Sequence, residues 1–323
     1  MISSHKKSIK NTKEQRGAFS VKAQKEQQKY LDSPVFYMGC KYKLLKQMLP
    51  LFPTTCRNFI DLFGGSAVVC MNYKGREKTI YNDFNTNVVN LVRMFKENTV
   101  EELDKYFMAK IEEFDILSLG KDFRDNMELQ KGYYDFREYY NKSDPKNYRD
   151  LYLLSCYSMN HLIRFNKNNE FNASCGSTQK YIKEKIENGH NCLQDVDILC
   201  GDAFDYDFDS ITSEDFIYLD VPYLNTEAVY NEKRAYGGWT IECDYKVFEI
   251  LEQLNKRGVK WALSNVFANR GKTNDHLVKW CQDNNWEVHH LSRNYNPFSK
   301  GNSNNDEVLI CNYQQREVDN NEN

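Results

Sequence analysis

The sequence predicts an α/β fold built on a seven-stranded, mostly parallel sheet. Short apolar runs rich in β-forming residues alternate with longer amphipathic stretches, which is the pattern of strands joined by crossover helices. Only the polar segment SRNYNPFSKGNSNN separates the last two predicted strands, so they should pair as an antiparallel hairpin at the sheet edge. A gap of about 110 residues between the second and third strands is too long for one crossover helix and predicts an inserted module.

The elements of this fold follow in chain order from local patterns. Strands are predicted at residues 58–63, 79–82, 197–201, 216–220, 259–264, 286–291 and 307–312. Within the inserted module, helical spacing of apolar residues predicts helices over 100–119 and 148–163. The following segment, RFNKNNEFNASCGS, is rich in Asn and Ser and is typical of a loop or small hairpin.

Composition limits the class of protein. The 323 residues are 41% hydrophobic and 14% aromatic, enough to build a packed interior. No run approaches the length of a membrane span, and the N-terminus lacks the apolar region of a secretory signal, so a cytoplasmic protein is expected. The ten cysteines show no metal-ligand spacing, which favours reduced thiols and predicts no metal site.

The N-terminal segment is strongly basic although the whole chain has a net charge of −3. Residues 1–30 contain eight Lys and Arg residues against Glu14 and Glu26. A flexible basic arm of this kind suits contact with DNA phosphates, but an ordinary solvated tail fits equally well. The other end, residues 314–323, is expected to be disordered.

A glycine turn follows the first predicted strand in the run FIDLFGGSAVV. In an open parallel sheet, ligands bind at the carboxyl ends of strands, where glycine lets the backbone approach closely. The next strand ends at Asp83, which suits a ribose hydroxyl pair but could instead cap the helix that begins near Asn85. Upstream, FYMGCKYKLLKQMLP offers Tyr37 and Lys41 as partners for an adenine and a cofactor carboxylate.

The string IYLDVPYLN delivers Asp220, Val221, Pro222 and Tyr223 to the carboxyl end of a buried strand. These residues resemble the DPPY motif of amino-methyltransferases, in particular the Dam-type (D12 class) DNA adenine-N6 methyltransferases. Further segments are similar to that family's motifs in the same order: YMGCKYKLL, FIDLFGGSA, YNDFN, NHLIRFNKNNEFNASCG, GDAFDYDF, LSN and DEVLICNY. The resemblance implies an S-adenosyl-L-methionine (AdoMet)-dependent methyltransferase fold that is Rossmann-like.

The resemblance also implies the domains and the chemistry. Residues 31–98 and 192–313 would form the catalytic AdoMet-binding domain, and 99–191 the target-recognition module. Asp220 and a main-chain carbonyl at position 221 would accept hydrogen bonds from the adenine amine, and Tyr223 would stack on the base after it leaves the duplex. Cofactor-binding residues implied in this way are Tyr37, Gly39, Lys41, Asp61, Phe63, Gly65, Asp83, Asp202 and Asp220.

Three positions depart from the family pattern. Val221 replaces the first proline of the motif, keeping its carbonyl but losing the fixed φ angle of proline. Cys40 replaces a usual glycine, and Ala67 replaces the last glycine of the cofactor turn. These departures bear on cofactor affinity and on activity.

Double-stranded DNA is the partner that the resemblance implies. Arg164 would read a guanine edge, and Asn160 and His161 would lie where the family opens the base stack. For Arg164 the alternative is a surface salt bridge. The complete set of expected DNA contacts is Asn160, His161, Arg164, Asn166, Lys233, Arg234, Arg293 and Lys300.

Other functions remain open at this point. An amino-methyltransferase for cytosine N4 or RNA would use similar chemistry, although Asp220 favours adenine. A catalytically weak homologue could act as a DNA-binding decoy or regulator, given Val221 and Ala67. A nicotinamide-dependent dehydrogenase is disfavoured because the GxGxxG spacing is missing. A cognate restriction endonuclease is a candidate partner.

Overall fold

The computed structural model describes residues 30–116, 130–176, 181–224, 238–269, 271–292 and 306–314. Within these ranges eight strands form one sheet, in the order β3-β2-β1-β4-β5-β8-β7, with β6 paired to the end of β5. The strands are β1 (Cys56–Asp61), β2 (Arg76–Asp83), β3 (Val196–Cys200), β4 (Phe216–Asp220), β5 (Lys260–Asn269), β6 (Lys272–Thr273), β7 (Glu287–Leu291) and β8 (Asp306–Cys311). No helix of the described ranges has the length and apolarity needed to cross a membrane.

Strand directions confirm the predicted fold class. Strands β1 to β5 run parallel to one another, whereas β8 pairs antiparallel with both β5 and β7. All seven predicted strands are present, and β7 and β8 form the predicted antiparallel pair with β7 at the edge. The added strand β6 has only two residues, too few to give a periodic signal in the sequence.

The central strands are apolar on both sides because helices cover both faces of the sheet. Phe216 and Tyr218 of β4 belong to one hydrophobic cluster, whereas Ile217 and Leu219 belong to the other. This alternation follows from the two-residue period of a strand. Its result is that Asp220 emerges at the carboxyl end of β4 between two packed layers.

Helices of the two layers come from different parts of the chain. One layer contains α1 (Leu45–Met48), α2 (Val68–Asn72), α3 (Thr86–Glu97), α4 (Val100–Glu113), α5 (Lys131–Lys142), α6 (Tyr148–Tyr157) and α7 (Lys183–Leu193). The other contains α8 (Ile241–Lys256) and α9 (Asp275–Asn284). Helices α4 and α6 of the predicted insertion therefore share a hydrophobic core with α3.

Helix ends depart from the sequence prediction in the insertion. The predicted helix 148–163 ends at Tyr157, because Ser158 has extended backbone angles and forms a β-bridge with Cys175. A single 3₁₀ turn, Met159–His161, follows it. The predicted helix 100–119 is helical to Glu113, and residues 117–119 lie outside the described ranges.

Candidate active site

A single pocket at the carboxyl ends of the parallel strands contains the residues predicted for the cofactor and for catalysis. Parallel strands present their carboxyl ends at one edge, so residues distant in sequence meet there. The predicted residues that line it are Tyr37, Gly39, Lys41, Asp61, Phe63, Gly65, Asp83, Asp202, Asp220, Val221, Pro222 and Tyr223. The fold brings these residues together, and their roles in cofactor binding and catalysis stay predictions.

The glycine turn after β1 is tied to β2 by hydrogen bonds from its main-chain N–H groups. The Gly64 N–H donates to the Asn82 carbonyl at 2.8 Å, and the Gly65 N–H donates to Oδ2 of Asp83 at 2.9 Å. A Cβ atom at Gly64 would lie 2.2 Å from the buried ring of Tyr81, so a larger residue does not fit. The turn thus lies directly against the core at the pocket floor.

Asp83 does not cap helix α3, so that alternative for its role is wrong. The N-cap is Asn85, whose side chain accepts hydrogen bonds from the N–H groups of Asn87 and Val88. Asp83 instead bridges the Gly65 N–H and the Asn85 N–H through its two carboxylate oxygens. The two oxygens have about four lone pairs in all, so the carboxylate can still accept from a ligand hydroxyl.

Ala67, which replaces the last glycine of the cofactor turn, has a backbone conformation that favours glycine. It has φ 61° and ψ 12°, the left-handed conformation that side chains with a Cβ atom disfavour. It lies at the N-cap of α2 and is fully packed in the core. The substitution is therefore tolerated at the cost of local backbone strain.

We expect Ala67→Gly to stabilise the fold by about 1 kcal/mol, because relief of left-handed strain exceeds the added flexibility of the unfolded chain. Thermal unfolding measures the change. Ala262→Gly, at a buried β5 position, is the matched control and should lower the melting temperature. Equal destabilisation by both variants would contradict the strain account.

Four carboxylates line the pocket: Asp61, Asp83, Asp202 and Asp220. Burial raises the pKa of Asp61 to about 7, with further upward effects from the charges of Asp220 and Asp83. Burial also raises the pKa of Asp83 and the pKa of Asp220. Within the described residues, Oδ1 of Asp61 is buried and has no hydrogen-bond partner. The lining therefore favours a ligand with cationic groups or hydrogen-bond donors.

Asp220 is held by a lysine distant in sequence. The Lys41 ammonium lies 2.6 Å from each carboxylate oxygen of Asp220, and the Lys41 side chain is only 3% exposed. Lys41 also donates to the Gly39 carbonyl at 3.2 Å. The lysine proposed from sequence as a partner for a cofactor carboxylate thus has the motif aspartate as its partner here.

Val221 contributes to packing as well as to the motif. Its side chain is 2% exposed and belongs to the hydrophobic cluster that includes Ile60 and Leu62. Apolar contacts of this kind restrict the residue even without a proline ring. The replacement of proline by valine therefore leaves position 221 inside the core.

Tyr223 connects Asp220 with a carboxylate that sequence reasoning missed. Its hydroxyl lies 3.3 Å from Oδ1 of Asp220 and 3.3 Å from Oε1 of Glu307 on β8. Glu307 is also 3.8 Å from the Lys41 ammonium. An acidic residue at the start of the apolar run EVLIC was the one available signal for Glu307.

An aromatic wall closes the pocket beside the Gly turn. Trp239 stacks on Phe204 at 5.9 Å and packs edge-on to Phe63 at 5.7 Å. Its indole N–H donates to buried Asp244 at 2.6 Å, and His276 lies 2.7 Å from the other oxygen of Asp244. Trp239 and Phe204 thus line the pocket with their faces fixed.

The predicted recognition loop forms a small hairpin. Phe165 and Phe171 form a β-bridge, and the Asn166 side chain accepts from two N–H groups of the turn. The Arg164 guanidinium donates to the side-chain and main-chain oxygens of Asn172, each at 2.8 Å. Among the described residues, Arg164 is thus held by Asn172 of the same hairpin and forms no salt bridge.

Asn160 and His161, predicted to contact DNA, lie just before the hairpin. Asn160 and His161 both have positive φ angles. The His161 ring stacks on Phe36 at 4.1 Å, so it is turned toward the protein, whereas Met159 is 51% exposed. Four predicted DNA-contact residues lie outside the described ranges: Lys233, Arg234, Arg293 and Lys300.

The family model of the D12 class N6 adenine-specific DNA methyltransferases matches residues 37–296. The chain belongs to this family. The match spans the Gly turn, the Asp220 motif and the hairpin of Phe165 and Phe171, whereas Glu307 lies beyond the matched residues.

Three named relatives agree with this assignment. Modification methylase StsI of Streptococcus sanguinis is 37% identical over 297 residues, covering 89% of this chain and 44% of the relative. Type II methyltransferase M.FokI of Planomicrobium okeanokoites is 35% identical, covering 88% and 43%. A DNA adenine methylase of Vibrio cholerae is 25% identical, covering 71% and 79%. The chain spans less than half the length of StsI and M.FokI.

Proposed function

We propose that this protein transfers a methyl group from AdoMet to the N6 amine of adenine at a specific site in duplex DNA. The observation that carries the proposal is the placement of Asp220, Val221, Pro222 and Tyr223 at the end of β4, in the same pocket as the Gly turn. That geometry occurs in a chain of the adenine-specific family.

The chain's own residues fit AdoMet. Oδ1 of Asp61, which has no hydrogen-bond partner among the described residues, suits a cationic amine. The Asp83 carboxylate can accept further hydrogen bonds from ribose hydroxyls. Phe204 and Trp239 offer apolar faces for an adenine ring, and Gly65 admits close approach of the main chain. When bound, AdoMet supplies an electrophilic methyl group on sulfur.

Asp220 would accept a hydrogen bond from the adenine amine and stabilise the charge that develops on its nitrogen. The adenine amine is a weak nucleophile because its lone pair is delocalised into the ring. Asp220 can accept one amine hydrogen while it still pairs with Lys41, since each carboxylate oxygen has two lone pairs. The main-chain carbonyl of Val221 would accept the other hydrogen. Together these acceptors stabilise the positive charge that develops on nitrogen.

The raised pKa of Asp220 suits the proton release that follows methyl transfer. The methylated nitrogen must release a proton to regain a neutral amine. Burial of Asp220 favours its neutral form, so the carboxylate is a better proton acceptor than an exposed aspartate. Tyr223 would present its ring to the base after extrusion from the duplex.

DNA recognition is proposed for the insertion, residues 99–191, with the hairpin as its reading element. Exposed Met159 and Asn160 are the outward residues of the turn, whereas Asn166 stabilises the hairpin itself. StsI is named a modification methylase and M.FokI a type II methyltransferase, which supports a restriction endonuclease as the functional partner. With duplex DNA as substrate, the proposed location is the cytoplasm.

We expect Arg164→Ala to relax sequence choice while lowering non-specific DNA affinity less than about threefold, because base contacts specify and phosphate contacts position. Methylation of a library of DNA sites measures the change. Lys167→Ala, in the same hairpin, is the matched control and should leave sequence choice unchanged. A uniform loss on all sequences would instead assign Arg164 to phosphate contact.

Transfer of labelled methyl groups from AdoMet to unmethylated duplex DNA tests the proposal, with RNA as a parallel substrate. Digestion to nucleosides then distinguishes N6-methyladenine from N4-methylcytosine. Label in adenine supports the proposal, and label in cytosine or RNA assigns the alternative amino-methyltransferase activity. Binding of DNA without transfer to any substrate would support the decoy function, which no contact in the pocket favours.

A further inference from the structure

Glu307 is a buried carboxylate that the proposed chemistry has not yet used. It lies on β8, which pairs with β5 beside the catalytic strand β4. Its side chain is 6% exposed, and it lies 3.3 Å from the Tyr223 hydroxyl and 3.8 Å from the Lys41 ammonium. The strand residues after it, Val308 to Cys311, are all buried and apolar.

Stability alone does not explain a carboxylate at this position. Leu309 and Cys311, two and four residues further along β8, face the same hydrophobic layer. Burying a carboxylate beside them carries a desolvation cost that an apolar residue of similar size would avoid. Packing of this hydrophobic layer therefore does not require the charge of Glu307.

The contacts form a connected network of four groups. Lys41 bridges Asp220 and Glu307, and the Tyr223 hydroxyl lies between the same two carboxylates. One tyrosine hydroxyl donates one hydrogen bond at a time, so Glu307 competes with Asp220 for that hydrogen. Glu307 also shares the positive charge of Lys41 with Asp220.

We propose that Glu307 is a positioning residue for methyl transfer, which holds the Tyr223 hydroxyl and part of the Lys41 charge so that Asp220 can accept a hydrogen from the target amine. This inference rests on the proposed adenine methyltransferase activity. It assigns to Glu307 an action through Tyr223 and Lys41 and no contact with the substrate. Loss of Glu307 should therefore affect turnover more than substrate binding.

Steady-state kinetics of Glu307→Ala test this. We expect kcat to fall about 10-fold to 100-fold, with KM for AdoMet and for DNA changed less than about threefold, because the lost interaction supports the transition state. Glu307→Gln keeps an oxygen acceptor for Tyr223 and should recover part of the rate. Asp306→Ala, whose carboxylate pairs with His290 on the edge strand, is the matched control and should leave kcat unchanged.

A double-mutant cycle separates positioning from a general effect on folding. Tyr223→Phe removes the hydroxyl on which Glu307 acts, so Glu307→Ala should cost much less in that background. Full additivity of the two changes would overturn the inference. So would a kcat for Glu307→Ala within twofold of the unaltered protein.

The pH dependence of kcat gives a second readout. The groups around Asp220 are Lys41, Glu307, Tyr223, Asp61, Asp83 and Tyr218. Among them the Glu307 charge raises the pKa of Asp220, so Glu307→Gln should shift the acid limb to lower pH. An unshifted limb together with unchanged kcat would leave Glu307 with only a packing role. Absence of transfer by the unaltered protein would instead reject the proposed function itself.

Discussion

Asp220→Ala should lower methyl transfer by about 10³-fold or more, while AdoMet and DNA still bind within severalfold of the unaltered affinities. Asp220 accepts a hydrogen from the target amine, and that bond strengthens as positive charge develops on nitrogen. Its loss therefore raises the energy of the transition state more than that of the bound complex. Single-turnover methylation with saturating AdoMet and DNA measures the effect.

Asp220→Asn is the matched control because it keeps the side-chain volume and one carbonyl acceptor. We expect it to retain more activity than Asp220→Ala. Removal of Asp220 leaves Lys41 with Glu307 at 3.8 Å as its remaining carboxylate, so thermal unfolding must accompany both variants. A folded Asp220→Ala protein with a methylation rate near that of the unaltered chain would contradict the assigned role.

Gly64→Ala should lower AdoMet affinity by about tenfold or more and destabilise the fold by about 1–3 kcal/mol. The added Cβ would lie 2.2 Å from the Tyr81 ring, and neither group can move freely. Tyr81 is fully buried and donates to the Gly65 carbonyl at 2.7 Å, while the Gly64 N–H is tied to Asn82. Calorimetric titration with AdoMet and thermal unfolding measure the two effects.

Gly201→Ala is the matched control for this turn. It follows β3 beside the same pocket, and a Cβ atom there would have its nearest neighbour at 3.9 Å. Its effects on affinity and stability should be small. Similar losses in both variants would show that the close contact with Tyr81 is not what requires glycine at position 64.

Much of the sheet could be predicted because strand patterns are local. The apolar run 216–220 and its polar end at Asp220 are readable without any tertiary contact, and the strand has those bounds. The end of α6 could not be predicted in this way. Its apolar pattern continues past Tyr157, but the bridge between Ser158 and Cys175 ends the helix.

The site was predictable where residues follow a strand and less so where partners come from distant segments. Lys41 and Asp220 are 179 residues apart, and the Tyr223 hydroxyl meets Glu307 across 84 residues. No local pattern encodes such pairs. Trp239 was not among the predicted pocket residues for the same reason, since its orientation depends on Asp244 and on the ring of Phe204.

The most direct measurement of the central claim is the modified-base content of DNA from cells that express this chain. We predict N6-methyladenine at one recurring sequence context with the unaltered protein, and none at that context with Asp220→Ala at equal expression. Methylation that persists in the Asp220→Ala cells, or N4-methylcytosine in place of N6-methyladenine, would contradict the account.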